Sequence, residues 1–240
     1  MKTVALCSAR GAPGVTTTSL LLASHLDAVL VEADLAGGVV AVRYGLSREP
    51  GLVTLAAASP AGPGGWRDHA QDAGGVPVLV GPDAADTAES LWRTAGERIV
   101  AALDRSEGWA VVDAGRVWRR TWIVDAADVV LVLARPNAEE LVAATHAAAA
   151  LNAPGTKAPG GRVGVVLVGE GPYRAGDIDD SLGAPVLAHL PADDGTAKHL
   201  RDGGTSGRAL ARSRLSRSVA GIVELLAHSD APVAEMVVAR

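Results

Sequence analysis

Cysteine occurs once in this 240-residue chain, phenylalanine not at all, and lysine only at Lys2, Lys157 and Lys198. The lone Cys7 excludes an intrachain disulfide framework and suits a reducing compartment; on a first strand it reads as a small buried hydrophobe. With aromatics at 3%, the core has to be assembled from Ala, Val and Leu, helped by five Trp. No apolar run approaches the roughly 18 residues that a membrane span needs. The apolar stretch at the start ends at Arg10, too short for a secretory signal, so the expectation is a soluble cytoplasmic protein. The six His are scattered without metal-ligand spacing, and no Ser-His-Asp or Cys-His pattern is present. An excess of 27 acidic over 22 basic side chains leaves a formal charge of −5, which argues against a protein held to DNA by bulk charge.

What is present is a rhythm. Apolar runs without polar alternation lie at Val4–Ser8, Val29–Glu32, Val76–Val80, Ala110–Val112, Val129–Ala134, Val163–Val168 and Pro185–Leu190, the pattern of strands covered on both faces. Helix-like stretches separate them: Thr16–Leu26, Ala85–Leu103, Ala138–Leu151 and Ser213–Ala227. In the last, Leu215, Val219, Ile222, Val223 and Leu226 form one stripe. Strand and helix in alternation predict an α/β fold, a doubly wound, mostly parallel sheet with helices on both faces. The Gly/Pro-rich breaks are loop-sized and separate no regions of different composition, so 1–240 reads as a single domain.

In such sheets ligands bind at the carboxyl ends of the strands. The first strand runs into Ser8-Ala-Arg-Gly-Ala-Pro-Gly-Val-Thr-Thr-Thr18, a Gly-containing loop opening onto a helix, which can aim backbone N–H groups at a phosphate. An ordinary tight turn would look similar. Neighbouring strands end in Glu32-Ala33-Asp34 and in Asp113-Ala114-Gly115, so three carboxylates are expected near that loop, as a magnesium–nucleotide site requires.

With these motifs the chain resembles the ParA/MinD family of deviant P-loop ATPases, which position plasmids, division sites and pilus or flagellar machinery. The family loop KGGxGKTT corresponds to Arg10-Gly-Ala-Pro-Gly-Val-Thr-Thr17, its DxD segment to Glu32–Asp34 and its Walker B strand to Trp109–Gly115. Pro191-Ala-Asp193 resembles the late Pro-x-Asp near the base, and the likeness spans the chain, nearest in flavour to the CpaE-like localisation branch. The resemblance implies ATP and Mg²⁺ as cofactors, held by Arg10, Gly11, Ala12, Gly14, Val15, Thr16, Thr17, Pro191 and Asp193. Thr16, Glu32 and Asp113 correspond to the metal-binding positions, and Asp34 to the catalytic acid. It also implies a homodimer and a protein partner in a positioning, pilus or partition system.

Three departures from that pattern matter. Val15 stands where the Walker lysine contacts the β- and γ-phosphates, removing a charge-assisted contact worth about 1.5–3 kcal/mol. Arg10 stands at the signature lysine that reaches across the dimer, and Gly169-Glu170 stands where an Asn commonly reads adenine. Together they predict a degenerate P-loop with hydrolysis lost or very slow and with weakened nucleotide binding. An ATP-dependent dimerisation switch using Arg10, Thr16, Asp34 and Asp113 is the alternative.

Two surfaces complete the reading. Gly115–Trp122 occupies the family's nucleotide-sensing switch, where Trp118 and Trp122, four apart, either pack on the sheet or form a partner surface. Arg208, Arg212, Arg214 and Arg217 make a basic patch for a third reading, nonspecific nucleoid DNA binding, against a bland solvated helix face. The end, Ala231–Arg240, is too short and too poorly charged for a MinD-type membrane helix.

Overall fold

The computed structural model describes residues 1–11, 13–58, 65–117, 120–153, 163–173, 175–178, 182–205 and 210–227. Eight strands form one sheet: β1 (Lys2–Ser8), β2 (Val29–Glu32), β3 (Gln71–Asp72), β4 (Pro77–Leu79), β5 (Trp109–Arg116), β6 (Val129–Ala134), β7 (Val163–Val168) and β8 (Val186–Leu190). Their order across the sheet is β3-β4-β2-β5-β1-β6-β7-β8. Every pairing is parallel except β3 with β4, an antiparallel edge that the sequence pattern did not reveal because two residues are too few to show a period.

The strands alternate between two apolar layers. Ala5 and Cys7 of β1 face the layer that holds Ile99 and Leu103 of α4 (Ala85–Asp104), Ile123 of α5 (Trp122–Ala126) and Leu141 of α6 (Ala138–Leu151). Val4 and Leu6 face the layer built from Leu20–Leu22 of α1 (Val15–Leu26), Leu200 of α8 (Asp194–Arg201) and the stripe Leu215, Val219, Ile222 and Leu226 of α9 (Arg214–Ala227). Both faces of the sheet are therefore covered, which explains its unbroken apolar strands. Val223, expected in the α9 stripe, is only half-buried. Ser216 is buried in that helix instead, because its hydroxyl and carbonyl meet His25 Nε2 of α1 at 2.9 and 3.0 Å.

Among the described residues five short helices lie outside the helix-like stretches: α2 (Val40–Tyr44), α3 (Leu52–Ala57), α5, α7 (Ala175–Ile178) and α8. α2 follows β2 directly at the carboxyl edge of the sheet, and α8 follows β8 there. Both flank the loop that joins β1 to α1.

Candidate functional site

The loop after β1 bends through two glycines in the left-handed region, Gly11 at φ +60° and Gly14 at φ +88°. Ala12, between them, lies outside the described residues. Gly14 is the N-cap of α1 and supplies no side chain to the helix end. The first intrahelical bond runs from the Thr18 N–H to the Gly14 carbonyl at 2.8 Å, so the N–H groups of the first turn precede the internal ladder and suit an anion. Val15, the first helical residue, is 5% exposed and belongs to the α1-side apolar layer. Position 15, which the resemblance aligns with the Walker lysine, thus offers packing and no charge.

Beside this loop the carboxylates divide into two roles. Asp113, 1% exposed at the carboxyl end of β5, accepts a hydrogen bond from the Thr16 hydroxyl and one from the Gly115 N–H at 3.2 Å. Burial pushes its pKa up to about 7, the Thr16 bond opposes the rise, and the charges of Glu32 and Asp34 add to it. Asp34 is half-buried over Gly115: a Cβ on that glycine, at φ +56°, would stand 2.0 Å from the Asp34 carboxylate, so only glycine fits. Desolvation raises Asp34 as well, against a bond from the Ala36 N–H at 2.8 Å and the nearby Arg116 charge.

Glu32 is placed differently from the sequence expectation. Its Oε1 accepts the N–H groups of Val39 and Val40 at 2.5 and 2.7 Å, and its Oε2 that of Gly81 at 3.0 Å. The carboxylate caps α2 and ties it to the turn after β4, and Gly38 leaves it room, since a Cβ there would lie 2.4 Å from Oε2. Glu32 thus holds backbone N–H groups of two segments. Among the described residues no group of three or more His, Cys, Asp or Glu is arranged to hold a metal ion, while the charges of Glu32 and Asp34 both act on Asp113. Thr16 and Asp113 remain as a hydroxyl and one carboxylate, and that donor set fits Mg²⁺, which takes one or two carboxylates and completes its shell with water and ligand phosphate.

The loop floors a cleft of about 850 Å³. Thr16, Thr17 and Asp34 line it near the loop, and Gly169, Glu170, Pro191 and Asp193 line it farther along. Asp193 is the N-cap of α8, accepting the Thr196 N–H at 2.9 Å, and this bond lowers its pKa. Four arginines also line the cleft: Arg43, Arg116, Arg135 and Arg201. Local motif reading missed Arg43 and Arg135. Arg135 directly follows β6, so the rule that ligands meet the carboxyl ends of strands was the signal that could have found it. Arg10 takes another direction, its Nη1 lying 3.1 Å from Glu139 of α6, outside the cleft lining.

No protein-family model matches the chain. Two curated proteins, uncharacterised and from two strains of Mycobacterium tuberculosis, are 28% identical over 218 residues, covering 84% of this chain and 57% of theirs. The match spans little more than half the length of those relatives. Among solved structures, a ParA family ATPase from Chlorobium tepidum superposes with a TM-score of 0.72 at 16% identity, covering 91% of this chain and 96% of its own. The septum site-determining protein MinD of Pyrococcus horikoshii, complexed with Mg-ADP, gives 0.74 at 15% identity over 95% and 96%. An ATP complex of a Cyanothece McdA variant gives 0.68 at 18% identity over 96% and 98%. The chain has the ParA/MinD fold.

The segment after Asp113, expected to correspond to the family's switch, is described only in part, since 118 and 119 lie outside the described residues and with them the Trp118 expectation. Trp122, at the start of α5, is 53% exposed, yet its indole seats on Gly96 of α4, where a Cβ would approach to 2.5 Å. Of the basic patch, Arg208 is outside the described residues, as is the 228–240 tail. Arg212, Arg214 and Arg217 are exposed. Arg214 and Arg217 border, with His189, a second recess of about 590 Å³ that shares Gly169 and Pro191 with the main cleft. No described helix is long and apolar enough to cross a membrane.

Proposed function

We propose that this chain is a cytoplasmic positioning or regulatory protein of ParA/MinD type that uses a magnesium–nucleotide as a bound ligand rather than as fuel. It works as a homodimer with a protein partner of a division, pilus, secretion or partition system. The observation that carries this is the pairing of Val15, packed in the apolar layer at the lysine position, with an otherwise retained Thr16, Asp34 and Asp113 beside the loop. Phosphoryl transfer is accelerated almost entirely by positioning and electrostatics, so removal of an ammonium from the β/γ-phosphates strikes turnover harder than binding. The Mg-ADP and ATP complexes of the fold neighbours support the ligand class.

Calorimetric titration with MgATP and MgADP, run beside a phosphate-release assay, tests this reading. Binding is expected, with phosphate release no faster than that of the Asp34→Ala variant. A release rate that Asp34→Ala abolishes would establish an active ATPase and defeat the proposal.

A further inference from the structure

The cleft is lined by arginines that the P-loop motif does not account for, beside the carboxylates of Asp34, Glu170, Asp193 and Asp194. Arg135 leaves β6 beside the loop, and its Nη1 lies 3.9 Å from where a Cβ of Gly11 would stand. Glu140 of α6, with a side chain only 12% exposed, accepts both the Arg135 main-chain N–H at 2.7 Å and Nη1 at 3.1 Å. Glu140 is itself fixed by its N–H bond to Asn137 Oδ1 at 3.0 Å. The guanidinium is therefore pinned over the loop before any ligand arrives. A guanidinium has five N–H donors, and the Glu140 bond engages Nη1 alone, leaving others on a side chain that is 53% exposed in the cleft wall.

Arg43 of α2 lines the same cleft, and its Nη1 is buried without a hydrogen-bond partner. A dry, unpaired N–H on a charged group is destabilising unless an acceptor arrives. The order β2-β5-β1-β6 places Arg43, reached from β2, and Arg135, at the end of β6, on opposite sides of the loop that follows β1. Arg10 is directed instead to Glu139, 3.1 Å from its Nη1, and is not among the residues that line the cleft.

We infer that Arg135 and Arg43 supply the countercharge for the ligand's phosphates in place of the absent P-loop lysine, so that the site grips a polyphosphate ester from its walls. The inference rests on the nucleotide-binding reading above and specifies how this chain achieves it. Guanidinium forks suit phosphate oxygens, and two of them approaching from either side of the loop can meet the terminal phosphates while the loop N–H groups meet the inner one.

The test is calorimetric titration of the parent chain, Arg135→Ala, Arg43→Ala, Arg43→Gln and the double variant Val15→Lys/Arg135→Ala, with MgATP and with magnesium tripolyphosphate. Melting temperatures taken alongside identify any variant that fails to fold, and Arg43→Gln keeps the stem length should Arg43→Ala lose stability. Each single arginine variant is expected to weaken both ligands by roughly tenfold to hundredfold, with Val15→Lys restoring most of the loss. Folded Arg135 and Arg43 variants that bind as tightly as the parent overturn the arginine assignment and leave nucleotide binding standing. A parent chain that binds neither ligand overturns the nucleotide reading itself.

Discussion

Asp113 shows how one side chain reports the state of the whole site. It is buried and flanked by two further carboxylates, and its pKa stands near 7, against an ordinary aspartate value near 4. A raised pKa means that the folded chain holds the proton more tightly than the unfolded one. The stability this contributes is complete below about pH 4 and is lost as the pH rises toward 7. Asp34 and Glu32, both raised by desolvation, act in the same sense. Without metal the chain should therefore lose stability across that window, by an amount of order 4 kcal/mol from Asp113. Denaturant midpoints at acid and neutral pH, compared between parent and Asp113→Asn, check this: the variant's midpoints should change much less with pH. Added Mg²⁺ should raise the parent's neutral-pH midpoint, since a cation stabilises the ionised form.

Among the elements, the first turn of α6 organises one wall of the cleft. Asn137 caps the helix through the Glu140 N–H, Glu140 turns its carboxylate back to Arg135, and Glu139 holds Arg10. Acids at a helix N-terminus are favoured by the dipole, and here they also orient two arginines beside the loop. Asn137→Ala removes the cap and should cost about 1 kcal/mol of stability, read as a lowered urea midpoint with an unchanged slope. An unaltered midpoint would show that packing of Leu141 and Ala144 alone secures this turn. The long elements α1, α4, α6 and α9 were legible because each runs for at least three turns between strand-like apolar runs, and α9 adds a one-sided apolar stripe. α2 was not, since its five residues depend on Glu32, a carboxylate from another element, for their N-terminal hydrogen bonds. That tertiary contact makes Glu32 a brace for backbone N–H groups of two segments.

For the whole molecule, the −5 charge conceals an uneven distribution. Four arginines line the main cleft together with Asp34, Glu170, Asp193 and Asp194, and Arg214 and Arg217 border the recess beside it with Glu170, so charges of both signs gather at the carboxyl edge of the sheet. Small concave sites of this kind suit a compact anion better than the long, evenly charged backbone of DNA. We therefore expect no retardation of duplex DNA by this chain at near-physiological salt. A retarded band that Arg212→Ala, Arg214→Ala and Arg217→Ala together remove would instead establish the nucleoid-binding reading.

The order of the longer strands and helices, the Gly-rich loop after β1 and the valine at position 15 were determined by the sequence alone, because period, turn chemistry and residue identity are local properties. Charge placement was not. Which acids meet Thr16, which one ties down α2, and which arginines turn toward the cleft depend on segments distant in the chain, as in the contact of Glu32 with Gly81 or of Arg135 with the loop at Gly11. Strand order decides those meetings, since parallel strands joined through helices bring together at one edge residues that no sequence window contains.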